Sequence, residues 1–403
     1  MRMKHRTRAF ALAGAAALLI AGCGGDGGDG GDGGDSASGE KKDCTWVLGT
    51  MGALSGDFAT LGLPIFEGID YAVDQANAAG DLACTLEIDK QDSGGSPEQA
   101  PGLAQNLIVN EELVAVIGPY FSGETLAVGE LFTEAGILMT GTGTNDTIDD
   151  QGYKTWFRSV ASDGVQGPTA ATYIKDVLQP QTVAIVHDGQ DYSKGLADSV
   201  QAELGSIAVG PFVINPEEDD FSGVVAKVAN TNPDVVYYGG YNPQAGTLAR
   251  QLEEAQVDAR FFSDDGAKDA SFGETSGPAA AGALVTCPCA DPTKVDGAGE
   301  FVEGMRAEYG EDAPGTFSAD MFDVTNFVIE ALGEADADTP IEEVRTSIVD
   351  FFANAEGLEG ITKNYTWDDT GELEADPLED IWIYEWDEAA GDFLSLGKAS
   401  DLL

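Results

Sequence analysis

Val183-Ala-Ile-Val-His187, Ser193 to Leu204, Val235-Val-Tyr-Tyr-Gly239, Gln244 to Ala255 and Arg260-Phe-Phe-Ser263 follow one another in a stretch where short apolar runs alternate with longer amphipathic ones. The short runs, rich in β-branched and aromatic residues, read as buried strands, and the longer ones as helices. Strands that alternate with helices run parallel, joined by right-handed crossovers. Val209 to Ile214 adds a strand to this series, Phe221 to Asn230 a helix, and Gly167 to Leu178 the helix that opens it. Upstream the same rhythm occurs once more. Trp46 to Met51, Leu86 to Ile88, Val114 to Ile117 and Ile137 to Met139 read as strands, and Ile65 to Ala79, Pro97 to Asn110 and Glu124 to Ala135 as helices. Two such series predict an α/β protein of two doubly wound, Rossmann-like lobes with parallel sheets. In open sheets of this kind a ligand sits beyond the carboxyl ends of the strands.

The strand ends of the first series carry Gly118-Pro-Tyr-Phe-Ser122-Gly and Thr140-Gly-Thr-Gly-Thr144. Each joins a strand to a helix start, where free N–H groups and the hydroxyls of Ser122, Thr142 and Thr144 suit a carboxylate. The same residues also serve as ordinary helix caps and turn formers. The second series offers His187-Asp-Gly-Gln-Asp-Tyr192, Tyr237-Tyr-Gly-Gly-Tyr241 and Ser263-Asp264-Asp265-Gly266. A carboxylate beside aromatic rings suits an ammonium group, through charge pairing and cation–π contact. The two halves together predict a site for a zwitterion, unless the rings are plain core and the acids plain surface.

The chain has 403 residues, 71 of them acidic against 20 basic, for a formal charge of −51. Such a chain repels phosphate backbones, which argues against nucleic-acid binding. Arg2, Lys4, Arg6 and Arg8 precede an apolar run from Ala9 to Ala21, too short for a comfortable membrane span and suited to an export signal. It ends in Leu19-Ile20-Ala21-Gly22-Cys23, which resembles the lipobox at which a signal is cleaved and the cysteine acylated. Residues 1–22 are therefore expected to be a lipoprotein signal peptide, with Cys23 carrying lipid on the outer face of the cell membrane. Residues 23–43 are expected to be a disordered tether, since Gly24 to Asp35 holds only Gly and Asp and cannot bury apolar surface. The other cysteines are Cys44, Cys84, Cys287 and Cys289. Cys44 and Cys84 each open an apolar run, so neighbouring parallel strands would permit a disulfide between them. Cys287-Pro-Cys289 reads either as a local disulfide or as two free thiols. With only His5 and His187 in the chain, no metal site is expected.

Gly167-Pro-Thr-Ala-Ala, Ala184-Ile-Val-His-Asp with Tyr192, and Val236-Tyr-Tyr-Gly-Gly-Tyr241 resemble branched-chain amino acid (leucine/isoleucine/valine) binding proteins of ABC uptake systems, in the type I periplasmic binding protein family. Gly49-Thr-Met-Gly-Ala-Leu-Ser-Gly56, Val116-Ile-Gly118, Gly136-Ile-Leu-Met139 and Tyr365-Thr-Trp-Asp-Asp-Thr-Gly-Glu-Leu373 fit the same family, so the likeness runs from about residue 44 to the end. The resemblance implies two lobes joined by three crossing segments near 160–163, 285–288 and 361–365. The amino-terminal lobe would be 44–161 plus 288–363, and the carboxy-terminal lobe 162–287 plus 364–403. It implies that Ser122 and Thr144 hold the ligand carboxylate, with Thr142 beside them where the family uses a backbone group. Tyr192 and Tyr241 match the aromatic residues of the second lobe. Asp265 stands where the family places a glutamate that pairs with the ligand ammonium, one methylene shorter. Leu61 replaces a tyrosine often found at the cleft, and Tyr120 and Phe121 bring bulk to the side-chain pocket. Phe121 also removes a family disulfide. The implied ligand is leucine, isoleucine or valine, and the implied partners are ABC permease membrane subunits and, through the anchor, the membrane. A monomer with no cofactor is expected. Sensing of small amides or other amino-acid-like solutes is the alternative. There is no Gly-x-Ser-x-Gly, no His-Glu-x-x-His and no phosphate loop, so no enzyme is expected.

Overall fold

The computed structural model describes residues 44–403. The expected signal peptide and tether, with Cys23, lie outside the described residues. The first sheet is built from β1 (Thr45–Gly52), β2 (Thr85–Asp92), β3 (Leu113–Ile117), β4 (Leu138–Gly141) and β5 (Trp156–Arg158), in the order β2-β1-β3-β4-β5. All four pairings are parallel. The crossovers include α1 (Ala59–Ala79), α2 (Ala100–Ile108) and α3 (Ser122–Ala135). The interior strands have no polar face: β3 is buried along its whole length, as a strand covered by helices on both sides must be.

The second series begins with α4 (Asp163–Tyr173) and continues β6 (Val183–His187), α5 (Asp191–Leu204), β7 (Ala208–Val213), α6 (Ser222–Ala229), β8 (Val235–Gly239), α7 (Gln244–Glu254), β9 (Arg260–Ser263), α8 (Ser271–Ser276) and β10 (Leu284–Cys287). The chain then returns to the first sheet as α9 (Gly299–Tyr309), α10 (Ser318–Leu332) and α11 (Ile341–Ala353), with the small ribbon β11 (Leu358–Glu359) and β12 (Asn364–Tyr365). It ends as β13 (Trp382–Asp387), β14 (Asp392–Lys398) and the short α12 (Ala399–Leu402). The second sheet runs β14-β13-β10-β9-β8-β6-β7. Its interior is parallel, but β13 is antiparallel to both β10 and β14, a hairpin edge that the alternating rhythm does not predict. α1 begins at Ala59, six residues before the expected start, because Pro64 sits inside it rather than ahead of it.

Hydrogen bonds hold the stretch after β12 to the first sheet. The Arg158 N–H donates to the Gly371 carbonyl at 2.9 Å, and Trp367 Nε1 donates to the Arg158 carbonyl at 2.6 Å. Trp367 also packs against Phe157, Phe352 and Tyr365. The chain therefore reaches the second sheet only between Leu373 and Trp382, later than the crossing near 361–365 that the family pattern implies. The Arg158 side chain is fully buried and pairs with Asp149 at 2.6 Å and Glu372 at 2.5 Å, which ties β5 to this returning stretch.

β1 and β2 start level, Thr45 opposite Thr85, and Cys44 and Cys84 form a disulfide with their Cα atoms 4.9 Å apart. Cys287 and Cys289 are also bonded, which decides between the two readings of that pair. The Cys44–Cys84 bridge spans 40 residues, and loss of a loop constraint of this length costs about 4 kcal/mol of folding stability. Cys44→Ser with Cys84→Ser is expected to lower the unfolding free energy extrapolated from urea denaturation by about that amount.

Candidate functional site

Five first-lobe residues of the site sit where the chain leaves the sheet. Tyr120, Phe121 and Ser122 follow β3, and Thr142 and Thr144 follow β4. Ser122 opens α3, and its Oγ accepts the N–H groups of Thr144 (3.1 Å) and Asn145 (3.2 Å). With its acceptor positions occupied, the Ser122 hydroxyl proton is left to donate. The Thr142 hydroxyl donates to the Tyr120 carbonyl at 2.7 Å, so its proton is already committed. The Tyr120 hydroxyl and Thr50 Oγ1 lie 2.7 Å apart, while Thr50 Oγ1 donates to the Ile117 carbonyl. The ring of Tyr120 occupies the space that a Cβ on residue 52 would fill, so only glycine at position 52 seats it.

In the second lobe, Tyr192 stands on α5, Tyr241 follows β8, and Asp265 follows β9. Asp265 Oδ1 accepts from Gln166 Nε2 at 2.8 Å and from the Tyr192 hydroxyl at 2.9 Å. The Tyr192 oxygen accepts the Gly266 N–H at 3.2 Å, which fixes the turn that carries Asp265. Gln166 also donates to the Thr286 carbonyl and Oγ1, both at 3.2 Å, at the end of β10. The Tyr192 and Tyr241 rings lie 4.8 Å apart.

All nine residues singled out from the sequence line one narrow cavity: Leu61, Tyr120, Phe121, Ser122, Thr142, Thr144, Tyr192, Tyr241 and Asp265. Two more complete it, Ile65 and Phe317. Ile65 lies one helical turn from Leu61 on α1, so the i, i+4 spacing is a usable signal for it. Phe317 sits just before α10, far away in the chain, and no local pattern points to it. Gln166 carries no sequence signal either; it acts behind the cavity, on Asp265. One end of the cavity carries hydroxyls at the start of a 14-residue helix, the other a carboxylate between tyrosines, and the wall between them is aliphatic and aromatic.

The family described as periplasmic binding protein matches residues 45–391. The chain belongs to this family. A Leu/Ile/Val-binding protein of Escherichia coli is 33% identical over 341 residues, covering 83% of this chain and 89% of that protein. An amino acid binding protein of Pseudomonas aeruginosa is 30% identical over 349 residues, covering 85% and 90%. Among solved structures, the branched-chain amino acid transporter substrate binding protein of Streptococcus pneumoniae, in complex with isoleucine, aligns with a TM-score of 0.77 at 23% identity, covering 87% of this chain and all of that one. This likeness confirms the two-lobed α/β fold of the periplasmic binding protein. Its family is one of binding proteins rather than enzymes. No helix among the described residues is long and apolar enough to cross a membrane.

The second-lobe half of the site is crowded with buried carboxyls. Burial raises Asp265 to about 6, against the lowering effect of its bonds from Gln166 and Tyr192. Asp264 is raised well above the ordinary carboxylate range by burial and by the charge of Asp265; its Oδ2 accepts the Gly240 N–H, while Oδ1 is buried without a partner. Asp163 is likewise raised by burial. In the first lobe Glu124, on the first turn of α3, is pushed up to about 7 by burial. Carboxyls whose folded pKa lies above the unfolded value bind protons more tightly when folded. For Asp265 and Glu124 that contribution is complete below about pH 4 and is lost as pH rises through 6 to 7. The ligand-free protein is therefore expected to melt at a higher temperature at pH 5 than at pH 8. Glu124→Gln should reduce the corresponding difference in unfolding free energy by roughly 3 kcal/mol, obtained from scanning calorimetry across pH.

Proposed function

We propose that this periplasmic binding protein is the extracytoplasmic solute-binding lipoprotein of an ABC importer, and that it captures an aliphatic amino acid (leucine, isoleucine or valine) between its lobes. The reading is carried by the convergence of both halves of a zwitterion site on one cavity. Ser122 and Thr144 meet the ligand carboxylate at the start of α3. Asp265 meets the ammonium, with Tyr192 and Tyr241 excluding water around it. Leu61, Ile65, Tyr120, Phe121 and Phe317 hold the side chain. The names of the relatives, which bind Leu/Ile/Val or amino acids, support the choice of ligand. One methylene is worth only about 1–3 kcal/mol in an apolar pocket, so a preference graded across aliphatic side chains is expected rather than a single ligand.

The lobes are taken as 44–161 with 288–374, and 162–287 with 375–403, and they close on the ligand by hinge motion at the three passages between them. Residues 364–374 join the first lobe in this division because their hydrogen bonds run to β5. Delivery goes to the membrane subunits of the permease, from a position held by lipid on Cys23.

Calorimetric titration of protein that has been unfolded and refolded to strip bound solute tests the reading. Leucine, isoleucine and valine are expected to give saturable heat, and a short aliphatic amide none; the reverse result transfers the protein to amide sensing. Asp265→Ala is expected to weaken binding roughly a hundredfold, since it leaves the ligand ammonium buried and unpaired. An ammonium ligand needs Asp265 ionised. Affinity should thus be level above neutrality and fall about tenfold per unit as pH drops below about 6.

A further inference from the structure

Outside the cavity, on its Phe317 side, lies a larger groove walled by both lobes. Three of its residues are direct chain neighbours of cavity residues: Thr60 of Leu61, Pro64 of Ile65 and Thr316 of Phe317. The groove also contains Lys268, which follows the short turn Asp265–Ala267. Lys268 Nζ donates to Thr316 Oγ1 at 3.1 Å, and Thr316 Oγ1 donates back to the Lys268 carbonyl at 3.3 Å. The same ammonium lies 4.5 Å from the centre of the Tyr384 ring. The Tyr384 hydroxyl donates to the Cys289 carbonyl at 2.8 Å, on the passage that leaves the second sheet.

A lysine in this setting is unexpected. Asp265, Asp269, Asp291 and Asp392 all act on it electrostatically, yet its ammonium bonds to a neutral hydroxyl of the other lobe. A partly buried ammonium makes a stronger hydrogen bond than a neutral donor, and the ring of Tyr384 fixes its direction. At the opposite rim of the cleft the lobes meet through Asn145 Nδ2, which donates to the Asp191 carbonyl at 2.7 Å, and through the rings of Phe58 and Tyr241, 5.2 Å apart.

We propose that Lys268 is a positioning residue for lobe closure: with Thr316 it forms a clasp that holds the turn bearing Asp265 against the segment bearing Phe317. The clasp is made only when the lobes are together, so it slows release of bound solute and leaves capture unchanged. Its effect on solute rests on the amino-acid-binding reading above; its effect on the lobes does not.

Two measurements on the full chain test it, on a Cys23→Ser background. The first places spin labels on Val109→Cys and Val213→Cys, one exposed position on each lobe, and measures the distance distribution without solute. Lys268→Met and Thr316→Val are each expected to shift it toward longer distances, and Lys268→Arg to restore part of the wild-type distribution. The second follows leucine release by stopped flow. Both variants are expected to release leucine about tenfold faster with an unchanged association rate, and the double variant no faster than either single one. Thermal unfolding of the solute-free variants identifies any that fail to fold; Thr316→Val, a near-isosteric change, is the deciding variant. Unchanged distances in Thr316→Val, or additive effects in the double variant, overturn the clasp. If wild-type protein shows no leucine binding, the functional reading fails, and the label distances alone decide the clasp.

Discussion

A carboxylate withdrawn from water must be given donors or it takes up a proton, and the cleft is organised around how that demand is met at Asp265. Tyr192 and Gln166 both donate to its Oδ1. Each donor is itself held, Tyr192 by the Gly266 N–H and Gln166 by the Thr286 carbonyl. The acid at the cavity wall is thus tied to α4, α5 and β10 at once. On the proposed reading, those ties hold the carboxyl ready for the ligand ammonium, the preorganisation that makes a buried charge pair favourable rather than costly.

The opposite wall solves the complementary problem with neutral groups. Ser122 Oγ takes two N–H groups of the loop after β4, so the loop and the start of α3 are held together by a hydroxyl whose proton is left to donate. Thr142 and Tyr120 are locked to each other and to the strand below them. Both walls stand at the carboxyl ends of parallel strands, where the sheet stops supplying backbone partners and the side chains are free to serve a ligand. The hairpin of β13 and β14 takes no part in the cavity; it closes the far edge of the second sheet, and through Tyr384 it braces Lys268.

The strong acidity of the chain is handled locally rather than by neutralisation. Away from the cleft, cations are brought to some of the acids: Arg158 to the half-buried Asp149 and Glu372, and Lys363 to the buried Asp320 at 2.5 Å. Where they are buried beside the cavity, burial holds them toward the protonated form, as at Asp163 and Asp264. The site can therefore be rich in acid without a matching number of bases, and Asp265 is the member of that group that hydrogen bonds keep nearest to ionised.

The alternating apolar and amphipathic runs were enough to determine the α/β class, because a buried parallel strand has no polar face and its helices must cover it. β6, β8 and β9 coincide with the runs Val183 to His187, Val235 to Gly239 and Arg260 to Ser263. The strand ends likewise exposed eight of the nine cavity residues, since ligand groups in such sheets sit next to strand termini and carry polar or aromatic side chains; Leu61, inside α1, came from the family resemblance alone. Three things were decided only by tertiary structure. Phe317 enters the cavity because α10 packs on α1, a contact between segments some 250 residues apart with no shared pattern. Gln166 matters only because β10 and the turn after β9 come together around it. The meeting of Lys268 with Thr316 depends on how two separately folded lobes face each other, and periodicity, which reports on one element at a time, carries no information about that.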